Sequence, residues 1–97
     1  MKIIAVTACP TGIAHTYMAA EILEKTAKKL GHCIKVETQG AMGIENELSQ
    51  ADVDGAEVII LATDIAIERE ERFERLRKVR VPVQAVLKDA EAVFGKI

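Results

Sequence analysis

Two short runs in this chain are apolar almost without a break, and they constrain the fold more than any other feature. The first is Lys2 to Ala8; the second is Glu57 to Thr63, centred on Val58-Ile59-Ile60-Leu61-Ala62. A strand with one wet face alternates in polarity, whereas these do not, so each reads as a strand covered on both faces. Between them runs a helical pattern from about Ala14 to Leu30. Ala20, Leu23, Ala27 and Leu30 recur at spacings of three and four on one face, and Glu21, Glu24, Lys25, Lys28 and Lys29 fill the other. Glu21–Lys25 and Glu24–Lys28 stand in the favourable order for helical ion pairs, and Gly31 is a natural stop.

The remaining segments extend the alternation. Cys33 to Thr38 sets Ile34 and Val36 against Lys35 and Glu37, the pattern of a half-exposed edge strand. Gln39 to Gly43 reads as a loop, and residues 44–55 as one or two helical turns with Ser49 and Asp52 as candidate N-caps. Lys78 to Val81 can form a short fourth strand ended by Pro82, and about Val83 to Lys96 is helical, with Leu87, Ala90 and Phe94 on one face. Strand–helix alternation implies an α/β fold with a parallel sheet, right-handed crossovers and helices on both faces. With the two apolar strands central and the alternating ones at the edges, four parallel strands take the order 2-1-3-4. Such a sheet has its ligand crevice at the carboxyl ends of the strands, where the winding reverses beside strand one. Cys9 stands there. The whole chain, 1–97, reads as a single domain without repeat or linker.

Charge and composition exclude several functions. Thirteen basic and 15 acidic residues leave a net charge of −2, with no basic footprint for nucleic acid. Phe73, Phe94 and Tyr17 are scattered, so stacking platforms for single strands are missing. No apolar run approaches the roughly 20 residues of a membrane span. The opening residues Met1 to Val6 lead straight into the first strand and are too short for a signal peptide. Two cysteines without a secretion signal suggest a reducing, cytoplasmic setting.

The chemistry concentrates in Cys9-Pro10-Thr11-Gly12-Ile13-Ala14-His15-Thr16, between a buried strand and an amphipathic helix. Pro10 stiffens the turn and Gly12 permits close backbone approach. Backbone N–H groups from Thr11 onward, at a helix start, favour an anion, and Thr11 and Thr16 add hydroxyls. The same field favours a nucleophilic thiolate at Cys9. Low-molecular-weight tyrosine phosphatases place an arginine six residues after such a cysteine to clamp phosphate; here that position is His15. Loss of the bidentate cation weakens the grip on a phosphate dianion and disfavours hydrolysis. The loop therefore fits a phosphoryl carrier better than a phosphatase or an arsenate-reductase-like enzyme, which is the alternative.

The segment Cys9 to Glu21 closely resembles the active-site segment of the fructose-family enzyme IIB domain of the bacterial phosphoenolpyruvate-dependent sugar phosphotransferase system. The resemblance continues through Lys35-Val36-Glu37-Thr38-Gln39-Gly40, Gly43-Ile44-Glu45-Asn46-Glu47-Leu48 and Glu71-Arg72-Phe73, spanning essentially the whole chain. It implies a phosphotyrosine-phosphatase-I-like fold and a phosphotransferase working without cofactor or metal. It further implies that Cys9 accepts a phosphoryl group from a phosphohistidine on a IIA component. Cys9 then passes it to a sugar, fructose by family default, held by a membrane-embedded IIC component. The domain itself would be cytoplasmic, docking at the inner membrane face without inserting. Glu68 to Lys78 departs from the family pattern by its density of charge.

Other candidates have plainer readings. Cys33, without such a loop, reads as a packing residue, and His32, after the helix stop, as solvated. Cys9, Cys33, His15 and His32 lack the close spacing of a metal site. Asp64, at the end of strand three, reads as a cap for the next turn, with a general acid as the alternative. Ten of the thirteen residues 68–80 are charged, which reads as a solvated face or a docking surface. The Gln39–Gly43 loop would reach the Cys9 end only if strand two runs parallel to strand one.

Overall fold

A computed structural model describes residues 1–9, 13–40 and 42–97. In chain order the elements are β1 (Lys2–Ala8), α1 (Ile13–Lys29), β2 (Cys33–Gly40), β3 (Gly43–Glu45), α2 (Gln50–Gly55) and β4 (Val58–Thr63). A 3₁₀ turn (Glu70–Phe73), β5 (Arg77–Val81) and α3 (Val83–Phe94) complete it. One sheet has the order β3-β2-β1-β4-β5. Four of its strands, β2-β1-β4-β5, are the expected parallel set, with β1 between β2 and β4.

The fifth strand corrects the expected four. Gly43 to Glu45 pairs antiparallel with Thr38 to Gly40, in a segment read from sequence as loop and helical turn. Left-handed backbone at Gly43 (φ 84°) and at Asn46 (φ 53°) brackets this strand, and both residue types tolerate that region. Helix starts only at Gln50 because Ser49 caps it. Its hydroxyl accepts from the Asp52 N–H at 3.1 Å, while the Asp52 carboxylate accepts from the Ser49 N–H at 2.8 Å. Of the two candidate caps, Ser49 is the cap and Asp52 its capping-box partner. Lys35, 2.7 Å away, and the Ser49 donors hold the Asp52 carboxyl well below the usual carboxylate range. Ser49→Ala should cost about 1 kcal/mol, read as a lower urea midpoint at unchanged slope.

Period-two alternation along β1 and β4 divides the core. Ile3, Ala5, Val58 and Ile60 face α1 and α3, where they meet Leu23, Val86 and Phe94. Ile4, Val6, Ile59 and Leu61 face α2 and the 3₁₀ turn, with Leu48, Val53 and Phe73. Phe73 is fully buried, so the charged run 68–80 is more than a solvated face: it is pinned to the core at its middle. Two smaller expectations also change. Cys33 is exposed at the start of β2, where the edge offers no cover. The His32 ring stacks on Phe94, with centroids 5.9 Å apart, because the α1 stop delivers it onto α3.

Candidate functional site at the carboxyl ends of the strands

Cys9 follows β1 directly and is 8 % exposed. Ala8 pairs with Gln39 of β2 on one side and Thr63 of β4 on the other, so three parallel strands end around the thiol. Strand two does run parallel to strand one, and the segment after Gln39 emerges at this end. α1 begins at Ile13, four residues past the cysteine. Pro10, Thr11 and Gly12 of the expected phosphate loop lie outside the described residues. Ala14 and His15 are exposed on the first turn of α1, and Thr16 is buried. The Thr7 hydroxyl donates to the Thr16 carbonyl at 3.1 Å, fastening the end of β1 to that turn. Helix-start N–H groups have no intrahelical acceptor, and with the helix dipole they favour an anion close to Cys9.

Sequence reasoning missed a buried ionic cluster that holds the crevice wall on the opposite face of the sheet. Glu37 on β2 is fully buried, and Arg72 in the 3₁₀ turn clasps it with two bonds of 2.8 and 3.0 Å. Gln39 Nε2 donates to the same carboxylate at 2.8 Å, and the Leu48 N–H at 2.9 Å. Burial pushes the Glu37 carboxyl up, but these donors, Arg72 foremost, outweigh burial and hold it below its usual range. Glu37 in turn raises the Arg72 guanidinium. Gln39 also grips the backbone of Glu68 from both sides, accepting from its N–H at 2.7 Å and donating to its carbonyl at 3.1 Å. The Arg72 guanidinium lies 4.5 Å from the centroid of the Phe73 ring. The cluster therefore joins Lys35–Gly40, Gly43–Leu48 and Glu71–Phe73, the three segments singled out beside the cysteine loop. A usable signal was present: a phenylalanine inside a dense charged run, and polar residues filling one face of β2.

Asp64 has the plainer of its two roles, with a different target. Its N–H extends the ladder to Ala8 at 3.1 Å, and its carboxylate accepts from the Val83 N–H at 3.1 Å. It caps the start of α3 rather than the next turn, because Pro82 ahead of Val83 brings no hydroxyl or carboxylate of its own. Beside it opens a cleft of about 560 Å³ lined by Thr63, Asp64, Ile65, Glu70 and Arg80 among others. The arginines near this end are committed: Arg72 pairs with Glu37, Arg69 with Glu47 and Arg80 with Glu70.

The family model described as PTS system, Lactose/Cellobiose specific IIB subunit, matches residues 4–96. The chain belongs to this IIB family. Among its relatives, the PTS system fructose-like EIIB component 2 of Escherichia coli strain K12 is 56 % identical over 96 residues, covering 99 % of this chain and 91 % of that protein. The fructose-specific EIIABC component of Bacillus subtilis is 48 % identical over 98 % of this chain, which spans 15 % of that longer protein. The crystal structure of a predicted fructose-specific IIB from Escherichia coli superposes with a TM-score of 0.93 at 44 % identity, covering 98 % of this chain and 84 % of that one. The IIB domain is thus of the fructose-like kind, a phosphotransferase component that carries phosphoryl groups in sugar transport. No helix among the described residues is long and apolar enough to cross a membrane.

Proposed function

We propose that Cys9 is the phosphoryl-carrying residue of this IIB domain, with residues 10–16 as its anion-binding loop. The observation that carries this reading is a nearly buried thiol at the end of the central strand, four residues from the start of a 17-residue helix. The Cys9 thiolate attacks the phosphorus of a phosphohistidine on a IIA partner. The N–P bond breaks as the S–P bond forms, and the imidazole departs. In the second transfer a sugar hydroxyl attacks, the S–P bond breaks, the hydroxyl proton is released and the thiolate is regenerated. The chain 1–97 acts as one domain in both steps.

The arginines named above are all engaged with carboxylates, and position 15 is histidine. No bidentate cation from these positions clamps the dianion, which supports a carrier over a hydrolase. The partners are a IIA donor and a membrane IIC component presenting the sugar, taken as fructose from the relatives' names. The domain works on the cytoplasmic side, docked to IIC at the inner face. Support for protein docking comes from the rim: Tyr17, Met18, Met42 and Ile65, all exposed, follow the carboxyl ends of β1, β2 and β4. Exposed apolar side chains at this end give a partner protein surface to cover.

Incubation with phosphoenolpyruvate, the two general phosphotransfer proteins and a fructose-type IIA should add one phosphoryl group by intact mass. Addition of membranes carrying the matching IIC and fructose should then discharge it to sugar phosphate. A chain that stays unmodified, or that instead turns over an aryl phosphate catalytically, contradicts the proposal.

A further inference from the structure

Three threonines are buried beneath the first turns of α1: Thr7 on β1, Thr16 on the helix and Thr38 on β2. Thr7 and Thr38 are paired across the two strands, so their side chains share the face that α1 covers. Val36, two residues before Thr38 on that face, packs in the same cluster as Cys9, Ala19, Ala20 and Leu23. Register therefore places Thr38 diagonally across from Cys9, one step below the Ala8–Gln39 pair. The Thr7 hydroxyl donates to the Thr16 carbonyl. The Thr38 hydroxyl is 2 % exposed as a residue, yet its oxygen has no hydrogen-bond partner.

A buried hydroxyl without a partner is costly, and valine would fill the same space without that penalty. Its position on the α1 face, diagonally across the sheet from Cys9, suggests what it is for. We propose that Thr38 is a positioning residue whose hydroxyl donates a hydrogen bond within the phosphorylated site, engaged only when Cys9 carries its phosphoryl group. The inference rests on the Cys9 reading and deepens it. The phosphorylated state gains a charge-assisted donor that the unmodified state does not use, so the hydroxyl shifts the transfer equilibrium from IIA towards this domain.

Thr38→Val separates this role from a structural one. Removing an unpartnered hydroxyl should leave the urea midpoint of the unmodified protein unchanged or higher, whereas Thr7→Val, which breaks a bond, should lower it. Phosphoryl exchange with phosphorylated IIA, followed by intact mass, should show the equilibrium constant for transfer to Thr38→Val reduced roughly ten-fold or more, the scale of one hydrogen bond to a charged group. Thr38→Ser should restore it. An equilibrium constant equal to that of the parent overturns the inference, as does a Thr38→Val protein whose unmodified form is clearly destabilised. If the parent itself takes up no phosphoryl group, the Cys9 reading fails first, and the Thr38 role fails with it.

Discussion

Arg72→Ala should lower the stability of the domain by roughly 3–5 kcal/mol, because it strands a buried carboxylate. Glu37 is fully buried, and Arg72 supplies two of the four bonds to its oxygens. Without the guanidinium, Gln39 and the Leu48 N–H alone must compensate the charge. Against the 5–15 kcal/mol typical of a domain this is a large fraction, and it should lower Tm by roughly 15 °C or more. The loss comes mostly from orphaning the partner. Glu37→Gln combined with Arg72→Leu should therefore recover much of it, since the glutamine still accepts from Leu48.

The pH dependence follows from the same pair. The folded Glu37 carboxyl lies below its ordinary value of 4.5, so the unfolded chain binds its proton more readily. Its stabilisation is complete above that ordinary value and is lost as pH falls through the lower, folded one. Urea titrations of the parent and Arg72→Ala should therefore differ most near neutral pH and converge in acid. A constant difference across that range would mean that the ion pair is not what Arg72 contributes.

Cys9→Ser should abolish phosphoryl uptake from IIA, while Cys33→Ser should leave it intact. Serine keeps the size and the site but has no thiolate to offer near neutral pH. Cys33 starts β2 at the amino ends of the strands, exposed and remote from the crevice. Both variants should unfold at close to the parent midpoint, so the contrast reads chemistry rather than folding. Uptake by Cys9→Ser at the parent rate would remove the thiol from the mechanism.

Much of this was legible before the fold was known. The uninterrupted apolar strands at 2–8 and 57–63 predict β1 and β4 as neighbours, and the polar alternation of α1 fixes which face it buries. Once β1 is central, Cys9 has only one end of the sheet to occupy. The misreadings share one physical cause. Lys35 and Glu37 read as the wet face of an edge strand and Gln39 as the start of a loop, but the second half of β2 is covered by residues 47–48 and 68–72. A polar face covered by donors from distant segments has the same local pattern as one covered by water. β3 was missed for a related reason: three residues flanked by turns carry too short an alternation to register. The Glu37–Arg72 pair spans 35 positions, and no periodicity connects residues that far apart.

If the phosphoryl group rides on the sulfur of Cys9, a count of free thiols will register it. The protein contains two cysteines. Alkylation in denaturant should place two groups on the unmodified chain, whereas the phosphorylated chain should keep its phosphoryl group and take up one, at Cys33. Two alkyl groups on a chain that still carries phosphate would put the phosphoryl group elsewhere, on His15 for example, and would contradict the account.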